Sequence, residues 1–173
     1  MNLFSITYLG QEYDLQHLIQ KDFICEWKNN SKNIIEKFSV RVNYSNHCYS
    51  EEVKKSQPSD VIISQNPLRV FCPIRYRESI SLPSIIAGLF DKMTSRVILT
   101  HVGNYHIYHL YTRLDPNGER RYCIFFSLKI QHSVLPNGHI PVNLYVESAY
   151  IRDDKVSAKR SRSFGVFLSE TLK

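Results

Sequence analysis

The fold of this chain is decided by its C-terminal half, where residues 96–150 read RVILTHVGNYHIYHLYTRLDPNGERRYCIFFSLKIQHSVLPNGHIPVNLYVESAY. Runs rich in Val, Ile, Tyr and Phe are typical of strands, and Asn-Gly pairs between such runs are typical of tight turns. The stretch predicts strands at about 96–101, 105–112, 121–130 and 141–150, joined as an antiparallel meander. The sequence SFGVFL at 163–168 could add one more strand.

A helical segment is predicted before the meander, over 74–90, with a break around Pro83. Ser81 is placed to cap its second part, and Pro83 suits the first helical positions. Four apolar side chains then share one face of that helix: Ile85, Ile86, Leu89 and Phe90. We expect them to contact strand residues such as Ile124, Phe126, Leu144 and Val146.

The N-terminal portion is β-rich. Its cleanest alternation places Phe38, Val40, Val42 and Tyr44 on one face of a half-buried antiparallel strand. A short hairpin is predicted near the N-terminus, although residues 14–21 could instead open a helix. An exposed loop with a brief strand is predicted at 50–67. The fold class is therefore α+β: an antiparallel sheet of four to five strands packed on a central helix. We expect one domain over 1–173, or an N-terminal lobe over 1–67 followed by 68–173.

The chain is moderately basic. Its 173 residues include 22 Lys and Arg against 16 Asp and Glu, which gives a net charge of +6 and a pI near 9.1. Many of the cations lie in the C-terminal portion. This excess favours an anionic partner, although a charged surface that only keeps the protein in solution is about equally compatible with it.

The four cysteines are widely spaced, so a zinc site, whose ligands usually come in close pairs, is not expected. We expect no metal and no cofactor, because the motifs of nucleotide-binding loops and zinc proteases do not occur. We expect no signal peptide, because the first residues lack a basic segment followed by a long apolar run, and the sequence contains no apolar run long enough for a membrane span. We therefore expect a cytoplasmic protein with reduced thiols and no membrane partner.

Three side chains are candidates for proton transfer: His106, His109 and Tyr150. Histidine titrates near neutrality and is the commonest general acid or base. On a strand, His106 and His109 point to opposite faces because side chains alternate. The structural alternative is that the histidines are polar residues of an exposed sheet face and that the Tyr150 ring caps the core.

Two groups of cations are candidates for phosphate contacts. Arg69, Arg75 and Arg77 flank Pro73, with Tyr76 between the last two, an arrangement that suits single-stranded RNA but also simple packing at a helix entry. The segment 151–163 contributes Arg152, Lys159, Arg160 and Arg162, and we expect it to be exposed. If Lys159, Arg160 and Arg162 each contact a phosphate, removing them lowers the salt dependence of binding by roughly one per residue. The alternative is an exposed loop without a ligand.

The sequence Asn46-His47-Cys48 invites comparison with a cysteine–histidine nucleophile. Adjacent residues of a strand face opposite ways, so His47 is poorly placed to activate Cys48. A buried structural thiol is the preferred interpretation.

The order of a helix, antiparallel strands and cationic residues over about 81–168 resembles RelE-like and barnase-like ribonuclease toxins. The resemblance implies RNA cleavage without a metal, by basic, His or Tyr residues on one sheet face. The chain also resembles small basic proteins carried by mobile elements. The leading expectation is an RNA-directed protein, either a metal-independent endoribonuclease or a relative that binds RNA or the ribosome. The alternative is a non-enzymatic module that binds a protein partner, as an inhibitor or regulator of a larger complex.

Overall fold

The structure, a computed structural model, describes residues 4–99, 106–115, 118–130, 135–152 and 160–171. Within these ranges, only the backbone is described for residues 99, 106–115, 118–121, 130, 160 and 171. The protein is α+β. Its strands are β1 Ser5–Tyr8, β2 Gln11–Asp14, β3 Lys21–Asn29, β4 Ile34–Tyr44, β5 Ser50–Glu52, β6 Ile62–Gln65, β7 Leu68–Phe71, β8 Arg96–Leu99, β9 His106–Asp115, β10 Gly118–Ile130, β11 Ile140–Arg152 and β12 Arg160–Ser163. The helices are α1 Pro73–Ser79, α2 Leu82–Asp91 and α3 Phe164–Thr171.

The predicted meander is confirmed. A seven-stranded sheet has the order β12-β8-β9-β10-β11-β4-β3, in which β8 to β11 are successive antiparallel neighbours. The turn between β10 and β11 contains Gly138 at φ +78°, the left-handed geometry that an Asn-Gly pair supplies. The turn expected at 103–104 lies outside the described residues.

Strand β4 joins the two halves of the chain in this sheet. Phe38, Val40 and Val42 are fully buried, as their alternation predicted. The strand is antiparallel to β3, but it is parallel to β11. The expectation of a purely antiparallel strand is therefore wrong on that side, because alternation predicts which face is buried and carries no information about the direction of a distant neighbour.

Helix α2 covers one face of the large sheet, as predicted. Ile86, Leu89 and Phe90 belong to the same buried cluster as Ile124 and Phe126, and Ile85 packs at its margin. The helical segment breaks at Ile80–Ser81, between α1 and α2. Ser81 occupies the N-cap position without making the capping bond, since its hydroxyl donates to the Glu78 carbonyl at 3.0 Å.

Residues 164–168 form the start of α3, so the strand expected there is wrong. Phe164, Phe167 and Leu168 are buried, and their spacing follows the helical repeat of three and four residues. The Phe164 ring lies 5.7 Å from that of Phe90, edge-on, which places α3 beside α2. The fifth strand next to the meander is β12, immediately before α3. No helix within the described ranges is long and apolar enough to span a bilayer.

Two small sheets accompany the large one, β1-β2 and β5-β7-β6. The β1–β2 hairpin, which the sequence predicted, turns through Leu9 and Gly10, both at positive φ. It docks through aromatic rings: Tyr13 lies 4.8 Å from Phe71 of β7 and 5.0 Å from Tyr76 of α1. The N-terminal hairpin therefore packs against the segment that leads into α1.

A buried polar network ties α3 to the β3–β4 hairpin. The Glu36 carboxylate accepts hydrogen bonds from Lys32, Ser169 and Asn29, and the Asn29 amide also donates to the Ser169 hydroxyl at 2.7 Å. Burial alone raises the pKa of Glu36, but these donors outweigh it and the pKa lies below its ordinary value. The network therefore stabilises the ionised carboxylate.

Gly165 is required where α3 meets β3. A methyl group at this position would overlap the indole of Trp27. We expect Gly165→Ala to lower the free energy of unfolding by about 1–3 kcal/mol through overpacking. Gly88→Ala in α2 is the matched control, because the added methyl group meets no side chain or other segment within 4 Å beyond its own neighbours in the helix, and it should be neutral or slightly stabilising. Urea denaturation measures both, and equal stabilities for the two variants would contradict this packing.

The Glu36 network predicts a pH-dependent contribution to stability. Because the pKa of Glu36 is depressed in the folded state, its contribution is present above the unfolded pKa and is lost as the pH falls through the folded pKa. We expect Glu36→Gln to cost about 1–3 kcal/mol at neutral pH and less at about pH 3, measured by urea denaturation.

Glu26→Gln is the control for that comparison. Its partner Lys37 is as exposed as Glu26 itself, so the change should cost little at either pH. A Glu36→Gln deficit that is the same at both pH values would show that the carboxylate charge does not contribute.

Candidate functional site

A cleft of about 250 Å³ opens between α1 and the C-terminal end of β11. Two residues that the sequence predicted meet there: the guanidinium carbon of Arg75 lies 4.8 Å from the centroid of the Tyr150 ring. The Phe125 ring also stacks with Tyr150, at 5.4 Å and 16°. The cleft is lined by Glu51, Cys72, Ile74, Arg75, Glu78, Tyr150 and Ile151.

Arg75 is held in place by main-chain carbonyls. Its Nη1 donates to the carbonyl oxygens of His47 at 3.2 Å and of Ser50 at 3.0 Å. Arg69, which is 5% exposed, donates to the same Ser50 carbonyl at 2.7 Å and to the Ser50 hydroxyl at 2.9 Å. Burial and the nearby Arg75 both lower the pKa of Arg69. Two guanidinium groups thus converge beside the cleft, close to the carboxylates of Glu51 and Glu78 that line it.

The strand register sets the position of the predicted proton-transfer residues. Cys123 of β10 pairs with His109 on one side and with Tyr150 on the other. The backbones of His109 and Tyr150 are therefore two strand spacings apart, about 10 Å. His106 pairs with Phe126, which in turn pairs with Val146, so His106 lies in a different row of the sheet.

The same register gathers arginines at one end of the sheet, where β9 turns into β10. Arg121 of β10 lies directly opposite Arg152 of β11, two residues beyond the Cys123–Tyr150 pair. Arg113 and Arg120 are cross-strand partners on β9 and β10. Arg152 is half-buried, and Arg77 is exposed on α1, the helix that borders the cleft. We call Arg113, Arg120, Arg121 and Arg152 the arginine end of the sheet.

The structure divides the basic segment 151–163, which the sequence predicted to be exposed throughout. Its last four residues form β12, and Arg162 is half-buried in an ion pair with Glu170, so the expectation is wrong there. Arg160 pairs with Leu99 of β8. Strands β8, β9 and β10 separate β12 from β11, a distance of about 19 Å. Lys159 lies outside the described residues.

Cys48 is a buried structural thiol, as the sequence favoured. It is fully buried, and burial raises its pKa to about 12. Burial, with Arg69 and Arg75 nearby, lowers the pKa of His47. A thiol with so high a pKa is a poor nucleophile at neutral pH. Within the described residues, no group of three or more His, Cys, Asp and Glu side chains could hold a metal ion.

Sequence reasoning missed the acidic residues of the cleft, Glu51 and Glu78, and the opposition of Arg121 and Arg152. Both depend on how distant segments meet. Only the opposition of Arg121 and Arg152 could have been found from the sequence. Counting the residue pairs of β10 and β11 outward from their Asn-Gly turn places these two arginines close together.

These features define an α+β protein with a mixed seven-stranded sheet and, at one end, a cleft lined by an arginine, a tyrosine and two glutamates. The chain belongs to the YjaZ family, whose model matches residues 5–172. No curated protein and no solved structure shows significant similarity to it.

The buried thiols predict low reactivity in the folded protein. All four cysteines are buried, and burial raises the pKa of both Cys25 and Cys48 to about 12. We expect iodoacetamide at mildly alkaline pH to leave Cys25 and Cys48 unmodified until urea unfolds the chain, as read by peptide mass spectrometry. Rapid alkylation of native Cys48 would instead support a reactive thiol.

Proposed function

We propose that this protein binds RNA at the arginine end of its large sheet and at the adjoining cleft. The observation that carries the proposal is the register that sets Arg121 opposite Arg152. Directly opposite positions on antiparallel strands lie about 5 Å apart, so arginines at both can contact the same phosphate or two adjacent ones. The proposal fits the net charge of +6, since phosphate contacts dominate nucleic-acid affinity.

The cleft supplies the second element of such a surface. Bases of single-stranded RNA stack on aromatic rings and on guanidinium planes, and here Arg75 and Tyr150 form one ordered stack with Phe125. Because the Arg75 side chain is held by two carbonyls, little conformational entropy is lost when a base packs beside it. Arg77, exposed on the same helix, is placed to contact a neighbouring phosphate.

Cleavage of the bound strand is the catalytic part of the proposal, in line with the resemblance to metal-independent ribonuclease toxins. The ribose 2′-hydroxyl attacks the adjacent phosphorus, a base removes the hydroxyl proton, and an acid protonates the leaving 5′-oxygen. His109 and Tyr150 flank Cys123 in one row of the sheet and are the proposed pair. His106, in another row, is the weaker candidate.

The second candidate function is a protein-interaction module. Two large apolar side chains of the cleft region favour it: Ile74, at the start of α1, is 68% exposed, and Ile80, just after α1, is 55% exposed. Apolar residues left exposed beside a groove are typical of surfaces that bind another protein.

A salt titration of labelled single-stranded RNA tests the binding proposal. We expect Arg121→Ala/Arg152→Ala to reduce the slope of log K against log salt by about 1.4, because roughly 0.7 is lost for each phosphate contact to a single strand. The matched control is Lys37→Ala/Arg41→Ala, which removes two exposed cations from β4. The segment 151–163 is proposed to add contacts through Lys159 and Arg160, with Arg162 contributing least because of its pair with Glu170.

The cleavage step is read in the same samples by gel analysis of the RNA. We expect His109→Ala and Tyr150→Phe to abolish cutting while the salt slope of binding is unchanged. If the wild-type protein binds RNA but does not cut it, the cleavage part of the proposal fails and only the binding part stands. An absence of binding by the wild type, or equal slopes for both double variants, would remove the RNA proposal and favour the protein partner.

A further inference from the structure

Strand β3 ends the large sheet on the side away from β12. It is nine residues long, and within the described ranges it pairs with β4 alone. The opposite edge, β12, has four residues. A long edge strand presents a row of N–H and C=O groups that can pair with another strand. The edge of β3 is therefore a surface on which a further strand would extend the sheet.

The side chains of β3 alternate between a covered and an open face. Phe23, Cys25 and Trp27 point toward the helices, with Phe23 stacked on Phe90 of α2 at 4.6 Å. The open face carries Asp22, Ile24, Glu26 and Lys28, all exposed. Ile24 is 69% exposed, which is unusual for a large apolar side chain in the middle of a strand.

We infer that the partner of this edge is a second copy of the same chain, with the two β3 strands antiparallel across a two-fold axis. Residues that lie opposite each other in an antiparallel pair point to the same side of the sheet. The helix-covered faces of the two copies therefore lie on the same side only when the two-fold axis passes through a residue. A slip of one residue would place them on opposite sides. Three central registers meet this condition, with the axis at Ile24, Cys25 or Glu26.

Charge decides among the three registers. With the axis at Ile24, Asp22 lies opposite Glu26 of the second copy, twice. With the axis at Glu26, the two Glu26 carboxylates face each other. With the axis at Cys25, Asp22 lies opposite Lys28 of the second copy, twice, so this register alone pairs opposite charges across the interface.

The Cys25 register also covers the exposed apolar side chain. The two Ile24 residues become diagonal neighbours, close enough for partial contact. Asp22 already forms an exposed ion pair with Arg41 of its own strand neighbour, and in the dimer it would lie between Arg41 and the second Lys28. One strand pair is a small interface, so we expect a dimer that dissociates on dilution.

A charge exchange tests this inference by sedimentation equilibrium over a hundredfold concentration range. We expect Asp22→Lys and Lys28→Asp each to raise the dimer Kd about tenfold, and the double variant Asp22→Lys/Lys28→Asp to restore it. Glu12→Lys on β2 is the matched control, because it adds the same charge as Asp22→Lys at an exposed site away from the edge. Monomeric wild-type protein at every concentration, or single variants that dimerise like the control, would overturn the inference.

A second measurement stays informative if a charge variant folds poorly. In the Cys25 register, cysteines at 22 and 28 lie opposite each other across the interface, at a Cα separation within disulfide range. With Cys25 replaced by Ala, so that the two native thiols at the axis cannot cross-link, we expect Asp22→Cys/Lys28→Cys to give a covalent dimer under mild oxidation, and Ile24→Cys/Lys28→Cys, which fits the Glu26 register, to give none. The reverse result, or cross-linking of neither variant, would overturn the Cys25 register, and a foreign peptide would then be the better candidate for this edge.

Discussion

The structure depends on the covering of one apolar sheet face. Fully buried side chains from β4, β10 and β11 line that face, and α2 and α3 together cover it. Phe164 of α3 contacts both Phe90 of α2 and Phe126 of β10, so the two helices share a single core. Neither helix is long enough to cover seven strands alone. This explains why α3 is secured twice, by Gly165 against Trp27 and by the polar network around Glu36.

The same arrangement accounts for the position of the cleft. Helix α1 precedes α2 and lies at the end of β11, beyond the part of that strand that pairs with β4. Arg75 and Arg69 fill this corner by donating to the carbonyl of Ser50, the first residue of β5, and Arg75 also donates to the carbonyl of His47 just before it. The main chain thus supplies the acceptors that buried guanidinium groups need. A corner in which two arginines are held by main-chain carbonyls follows directly from how the sheet ends.

Much of the fold could be predicted from local pattern, and the rest depended on contacts between distant segments. The four meander strands, the α2 face and the buried side of β4 followed from periodicity. Helix α3 was ambiguous, since Phe164, Val166 and Leu168 also alternate as a strand would, and burial of Phe167 decided for the helix. Of the site, Arg75 and Tyr150 were predicted separately. Their contact, and the part played by Glu51, required α1 to be placed against β11.

The parallel pairing of β4 with β11 has a consequence for biosynthesis. Ser45, at the end of β4, bonds to the Glu147 carbonyl of β11, 102 positions further along the chain. At typical translation speeds the ribosome needs roughly 5–20 s to make the intervening residues. During that interval the apolar row Phe38, Val40 and Val42 has no neighbour on one side. The nascent chain therefore exposes this apolar row until β11 has been made, and products that end before β11 should be aggregation-prone.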